Sequence, residues 1–341
     1  MRVLTDHDPD VCDTYVRSHP RATPYHLRAW LGVIARAFGH RGVSLAAEVD
    51  GRIAGVLPLV FFDSHVFGRF AVSVPFVNYG GVLADSAEAG DALLARAIEE
   101  ASHAGCVHLE LRHCDQQHFP ALAAKRHKVA MVLPLADSIE RQWNDLDRKV
   151  RNQVRKGEKS QLSIDVGGTE LLPAFYAVFA RNMRDLGTPV YSARFFEEVC
   201  RAFPEQTRVF VVRANGQAVA ASIVHWLGPT IQVPWASALR ESNSLSANVF
   251  LYWQMVKFAV ERGFTTFDFG RSTPNEGTFH FKKQWGAEPL PLVWEYWTAA
   301  GQAMPDLSPG NPKFDLAIRV WQKLPVGLTT WIGPSIVRNI P

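Results

Sequence analysis

Cysteine is scarce in this chain: four in 341 residues (Cys12, Cys106, Cys114 and Cys200), with no CxxC spacing. That excludes a disulfide framework and reads as reduced thiols. Long apolar runs are missing too. The longest, Ile53 to Phe62, holds ten residues and contains Pro58, whereas a membrane-spanning helix needs ~20. The opening stretch MRVLTDHDPD is acidic where a secretory signal is basic and then apolar, which predicts a cytoplasmic protein. Neither GxGxxG after a strand nor GxxxxGK[ST] is present, so dinucleotide and P-loop readings are disfavoured. No GxSxG elbow or Cys–His signature supports a covalent nucleophile. His103, His108, His113 and His118 recur every five residues. That spacing suits neither one helix face nor one strand face, and it predicts no metal site.

What the chain does have is an ordinary globular composition, 47% apolar and 20% charged, at a length that predicts two domains. Its charge is uneven. Residues 1–147 carry 14 Lys/Arg against 18 Asp/Glu, and the remainder carries 22 against 15, which makes the second half the expected home of an anionic ligand. The sharpest shift is RKVRNQVRKGEKS, residues 148–160, with six basic residues and one acid on helix-favouring types. It predicts domains at 1–147 and 148–300, with 301–341 as a tail packed on the body.

The two halves resemble each other in order. Each has a strand, a two-residue turn and a strand, AAEVDGRIAGVLPLV and VFVVRANGQAVAASIV. Asp50-Gly51 and Asn215-Gly216 are strong hairpin signals, because both turn positions need a positive φ. Each hairpin is followed by an amphipathic helix ending at glycine and then a strand: DALLARAIEEASHAG-CVHLELR, and NVFLYWQMVKFAVERG-FTTFDFG. Aligning Gly105 with Gly263 places Glu110 on Asp268. The pattern predicts a tandem duplication of an α/β unit in mixed α+β layers.

These residues resemble a family. RKVRNQVRKGEKSQLSI is similar to the basic helix that opens the second domain of FemAB-like proteins, and FDFGRSTPNEGTFHFKKQWGAEP to their closing motif. TPYHLRAW, GVLPLVFF, FGRF and SVPFVNYGGVLAD fit the same group, and in detail the chain resembles the members associated with exosortase (PEP-CTERM) and exopolysaccharide systems. The resemblance spans residues 20–341. It implies tandem GNAT-like acyltransferase domains (Gcn5-related N-acyltransferases) and acyl transfer to an amine, with aminoacyl-tRNA or acyl-CoA as donor. The GNAT pyrophosphate loop, Gln/Arg-x-x-Gly-x-Gly/Ala, is not clearly present in either half, which weighs against a standard CoA-binding mode.

Amide formation from an activated ester or thioester needs a neutral amine, a stabilised oxyanion and aligned substrates. Phe281-Lys282 occupies the position of the Fem Phe-Lys pair, whose lysine lies in the active-site channel; otherwise Lys282 and Lys283 are surface charges at a strand edge. Asp268 closes a predicted strand, where it accepts a proton or orients the amine, or else simply partners Arg271 or Lys282. Arg271 is the candidate anion clamp, since its fork binds bidentately. His280 reads as a partly exposed strand residue. In VPWASALRESNSLSANVFLYW, Ser244 or Ser246 is expected to cap a helix. Trp235, Ser237, Asn248 and Tyr252 are pocket candidates by the resemblance, with packing the simpler reading of the two aromatics.

Arg148, Arg151 and Arg155 share one face of the basic helix, and Lys149 and Lys156 another. This helix binds tRNA phosphates or an acceptor's diphosphate, or it is merely solvated. By the resemblance, Pro75–Asp85 with Asn78 and Tyr79 lines an acceptor groove; Tyr191 and Arg194 follow a loop placed to close over substrate. The tail carries Trp321, Leu324, Trp331 and Ile332 with few charges, and packing on the body is preferred to contact with a membrane surface. The leading expectation is an N-acyl or aminoacyl transferase that uses no metal, binds no DNA and acts on an amine of a cell-envelope or exopolysaccharide precursor. An acyl-CoA-dependent N-acetyltransferase and a catalytically inactive tRNA- or partner-binding module are the alternatives.

Overall fold

The computed structural model describes residues 1–5, 7–64, 67–304 and 315–340. It divides into two units, Met1–Ala130 with Leu290–Leu307 and Arg338–Pro341, and Met131–Pro289 with Ser308–Val337. The second unit thus begins before residue 147. The stretch before it is tied to the second unit where the Leu135 N–H donates to the Thr265 carbonyl at 2.8 Å and where the Trp143 ring packs on Trp253 at 5.0 Å between centroids. The chain also returns to the first unit from Leu290, because a late strand pairs there.

The first unit runs β1 (Arg2–Thr5), α1 (Pro9–Ser18), α2 (Ala29–Phe38), β2 (Arg41–Val49), β3 (Arg52–Ser64), β4 (Gly68–Val72), β5 (Leu83–Ala84), α3 (Ala87–His103), β6 (His108–Cys114) and β7 (Ala123–Pro134), whose last residues enter the second unit. There follow α4 (Ile139–Asp145), α5 (Arg148–Lys159), β8 (Ser163–Gly167), α6 (Leu172–Leu186), α7 (Ala193–Ala202), β9 (Thr207–Ala214), β10 (Gln217–Leu227), β11 (Thr230–Ala238), α8 (Ala247–Glu261), β12 (Thr266–Ser272) and α9 (Gly277–Lys283). Last come β13 (Glu288–Thr298), α10 (Asp315–Trp321) and α11 (Val326–Val337). Residues 305–314, at the head of the tail, lie outside the described residues.

In the first unit the strand order is β1-β2-β3-β4-β6-β13-β7, with β5 paired to β3. The β2–β3 turn has φ of 49° at Asp50 and 77° at Gly51, the geometry that selects Asp-Gly. Ala89, Leu93, Ala97 and Ala101 lie along one side of α3 and pack on Leu45, Leu57, Leu59 and Leu109 of the sheet. Ser86 starts this helix by accepting the Ala89 N–H at 3.2 Å.

The second unit repeats the plan with order β12-β11-β10-β9-β8. Its hairpin turn has φ of 50° at Asn215 and 79° at Gly216. Helix α8 departs from the amphipathic expectation: Val249, Phe250, Leu251, Tyr252 and Trp253 are all buried, so the helix is enclosed on every side. Helix α5 covers it, burying Val150, Val154 and Gly157. Gly157 is needed there, since a Cβ would lie 2.9 Å from the Phe250 Cβ.

Candidate functional site in the second unit

Strand β11 decides the site. Ile223 pairs with Trp235 but His225 with Gln232, so β11 carries one extra residue at Val233–Pro234, a β-bulge. Proline fits there because it has no N–H to give to the ladder. Beyond the bulge β11 leaves β12. The two are paired in parallel only at Thr230–Thr266, Ile231–Phe267 and Gln232–Asp268, although both strands continue for several residues. The outcome is a wedge-shaped opening with Gln232 and Asp268 at its closed end.

The bulge also resets which residues share a side. Register partners project to the same face of a sheet. Thr207, His225, Gln232 and Asp268 therefore form one polar row across β9, β10, β11 and β12. All four are buried. His225 Nδ1 lies 3.0 Å from Thr207 Oγ1 and 2.9 Å from the Gln206 carbonyl oxygen. Burial holds this imidazole down to about 4, so it is neutral. Gln232 Oε1 has no hydrogen-bond partner among the described residues. Such a group costs free energy unless something donates to it.

Asp268 Oδ1 accepts the Gly270 N–H at 2.7 Å. Gly270 has φ of 78°, a conformation open to glycine. Lys282, from α9, donates from Nζ to the carbonyl oxygens of Gly270 at 3.0 Å and Arg271 at 2.9 Å. An ammonium has three N–H groups, so one remains for a ligand oxygen. Burial lowers its pKa to about 8; the Asp268 charge opposes the shift and Arg271 adds to it. A desolvated cation thus sits at the end of β12 beside a buried carboxylate.

The expected site residues distribute as follows. Phe281 is half-buried against Tyr252 at 5.2 Å between centroids, and Tyr252 stacks on Phe269 at 5.3 Å. These rings wall the Lys282 side of β12. Arg271 is exposed just beyond. Trp235 and Ser237 join the Asp268 side through the bulge. Trp235 is packed between Phe195 and Phe196 of α7 at 5.2 and 5.3 Å, and Ser237 Oγ accepts from Asn182 Nδ2 at 3.0 Å. Asn248 is half-buried in the first turn of α8. Lys283 is exposed, with Nζ 6.0 Å from the Phe279 ring. Arg194 is exposed at the start of α7, and Tyr191 accepts from Tyr176 Oη at its carbonyl. Asn78 and Tyr79 belong to the first unit: the Asn78 carbonyl accepts from Trp294 Nε1 at 3.1 Å, and Tyr79 is buried against Tyr25.

Three expectations need correction. Residues 277–283 form helix α9, so His280, Lys282 and Lys283 are on no strand; Phe279 and Lys282, three apart, point inward. Neither Ser244 nor Ser246 caps α8. A 3-10 turn, Arg240–Leu245, precedes it, and Ser246 takes φ of 58° with no side-chain cap bond. That turn carries Glu241, paired with Arg181 at 2.8 Å, where a pyrophosphate loop would offer only N–H groups. The basic face of α5 also divides otherwise. Arg151 donates to the Asn144 carbonyl at 3.0 Å and Arg155 lies over Trp143 at 5.4 Å. Arg148, Lys149, Asn152 and Lys156 instead line a shallow depression of about 520 Å³. Sequence reasoning missed Thr207, His225 and Gln232. Only Pro234, which marks the bulge, could have signalled them, since each of these strands carries other polar residues as well.

Among the described residues no cluster of three His, Cys, Asp or Glu is disposed to hold a metal ion, and no helix is long and apolar enough to cross a membrane. Residues 144–283 match the acetyltransferase (GNAT) domain family. The second unit is thus an acyltransferase domain of GNAT type, and the chain a tandem of such folds. No curated protein sequence matches the chain. Among solved structures it is similar to FemX, with a TM-score of 0.69 at 16% identity over 88% of this chain and 98% of that one. A tandem GNAT protein from the clavulanic acid biosynthesis pathway gives 0.55 at 14% identity, over 89% and 99%. L-PGS from Bacillus licheniformis gives 0.55 at 10% identity, over 84% and 91%. At these identities the likeness concerns the fold.

Proposed function

We propose that the second unit transfers an acyl or aminoacyl group to an amine of a cell-envelope or exopolysaccharide precursor, by direct attack and without a covalent enzyme intermediate. The observation that carries this reading is the parting of β11 from β12 beside the Lys282 ammonium. The donor's acyl end enters the wedge. A new C–N bond forms at the donor carbonyl, the ester or thioester bond breaks, and the amine gives up a proton. Lys282 stabilises the developing oxyanion with its remaining N–H. Asp268 orients the amine or takes its proton, and Arg271 clamps a phosphate or carboxylate. Phe281, Tyr252 and Asn248 shape the donor side; Trp235, Ser237 and Lys283 complete it, and Arg194 meets the substrate from α7. Asn78 and Tyr79 serve the acceptor.

Aminoacyl-tRNA is the preferred donor. Glu241 in the turn before α8 disfavours a CoA pyrophosphate, and the Arg148, Lys149 and Lys156 face offers cations to RNA phosphates. Acyl-CoA remains the second reading because the matched family is an acetyltransferase one. The resemblance to exosortase-associated FemAB-like proteins supports the choice of acceptor, and both donors place the reaction in the cytoplasm. Thermal shift against acetyl-CoA, longer acyl-CoAs and a charged tRNA pool tests it. A donor at 100 times its Kd stabilises the fold by about 2.7 kcal/mol. A shift with tRNA that weakens in salt supports the aminoacyl reading, a CoA shift lost in Lys282→Ala supports the second, and silence from every donor overturns both in favour of a binding module.

A further inference from the structure

Helix α11 has no charged residue, and its two sides are treated differently. Thr329, Gly333 and Val337, at i, i+4 and i+8, are buried. Gly333 sits so close to the body that a Cβ would lie 2.9 Å from the Val190 nitrogen. The helix is therefore seated firmly, yet Ile336 beside this row and, on the opposite side, Leu328 and above all Trp331 are open, the last 77% exposed. Helix α10 is seated in the same way, with Ile318 against Gly187 and the Arg184 guanidinium on the Leu324 carbonyl at 2.9 Å. It too turns apolar side chains outward, Leu316 at 73% and Val320 at 51% exposed. Both helices therefore show large apolar side chains to solvent, unlike a surface helix made for water.

Charge identifies the occupant. From Asp315, the first residue of α10, to Ile340 the chain carries Arg319, Lys323 and Arg338 against that single acid. A second copy of this chain, seated by two-fold symmetry, would set these cations against themselves. A surface that combines apolar depth with negative charge matches both features. We propose that α10 and α11 form a docking face for bilayers containing anionic lipid, with Trp331 and its apolar neighbours entering the headgroup boundary while Arg319 and Lys323 meet the lipid phosphates. The face owes nothing to the choice of acyl donor, so it stands or falls separately from the proposed activity.

The test is co-sedimentation of the full chain with phosphatidylcholine vesicles and with vesicles containing roughly a third phosphatidylglycerol. The wild type is expected to bind the anionic vesicles, with salt weakening the binding. Trp331→Ser is expected to lower that binding by about tenfold or more at an unchanged Tm, because the side chain makes little contact with the body. Arg319→Gln with Lys323→Gln is expected to remove the preference for anionic lipid. Equal partition of wild type and Trp331→Ser, or no binding to anionic vesicles, overturns the proposal. Concentration-dependent dimerisation abolished by Trp331→Ser, without vesicle binding, overturns it as well and assigns the face to a second copy.

Discussion

The two units meet the same topological problem with opposite chemistry. In the first, β4 and β6 pair in parallel at Phe70–His108, Ala71–Leu109 and Val72–Glu110 and then part. In the second, β11 and β12 do so at three pairs ending in Gln232–Asp268. Glu110 and Asp268 thus hold the same place. Glu110 is neutralised from within: Arg112 Nε donates to it at 2.6 Å, Tyr296 hydrogen-bonds it, and the Arg112 guanidinium lies over Trp294 at 4.3 Å. Arg112 also donates to the Val77 carbonyl at 2.8 Å and so fixes the loop that interrupts the strand between β4 and β5. A second buried pair, His113 with Glu295 at 2.6 Å, lies nearby on the partner strands β6 and β13. Asp268 instead faces a lysine with one N–H to spare and a glutamine oxygen that nothing fills. At the first junction the buried carboxylate is satisfied from within, although His108 Nε2 on the same strand has no hydrogen-bond partner among the described residues. At the second the lysine keeps an N–H and Gln232 Oε1 stays unpaired, as a ligand site requires. Natural proteins tolerate such incompleteness chiefly where they bind or react.

The sharpest way to break this contrast is to remove its structural half. Arg112→Ala leaves Glu110 buried and uncompensated and is expected to cost about 3–5 kcal/mol in urea unfolding; a loss below about 1 kcal/mol would show the first junction to be as open as the second. Next comes Lys282→Ala, expected to lower turnover by about 10²–10³ with the fold retained. In the wild type the ammonium loses its proton as pH rises through about 8. The turnover rate therefore falls above that pH if charge is what Lys282 supplies, and rises if the neutral amine acts as base.

Gln232→Met sharpens the comparison from the other side. It replaces an unsatisfied buried amide by an apolar chain of similar size, so the free protein is expected to gain about 1–2 kcal/mol by thermal unfolding while donor binding weakens. Smallest is the capping pair. Ser86→Ala is expected to cost about 1 kcal/mol because Ser86 caps α3. Ser246→Ala at the matching end of α8 loses no cap bond, because Ser246 makes none.

Much of this arrangement was legible in the chain because it is local. Asp50-Gly51 and Asn215-Gly216 announce the hairpins through a backbone requirement that few residue pairs meet, and the helix-then-strand order aligns Glu110 with Asp268. What could not be read was non-local or two-sided. β13 returns to β6 across more than half the chain, and no short motif encodes that pairing. Phe279 and Phe281 in FHFKK alternate as a strand would, yet packing selects a helix in which Phe279 and Lys282 share the buried side. Gln232 looked like the polar half of an ordinary alternation in TIQVPWASA. Only the register shift at Val233–Pro234 shows that Trp235 and Ser237 lie on its side of the sheet. Trp331 shows the same limit on the surface: composition alone favours burial of so large a ring, and only its place on α11 leaves it outside.

The most direct test of the central contrast is amide hydrogen exchange of the intact protein with and without a saturating acyl donor, tried as acyl-CoA and as charged tRNA. Protection is expected along β11, β12 and the first turn of α8, with the loop after β4 and strand β6 unchanged. Protection confined to the first unit's junction, or absent with both donors, would contradict the assignment of acyl transfer to the second.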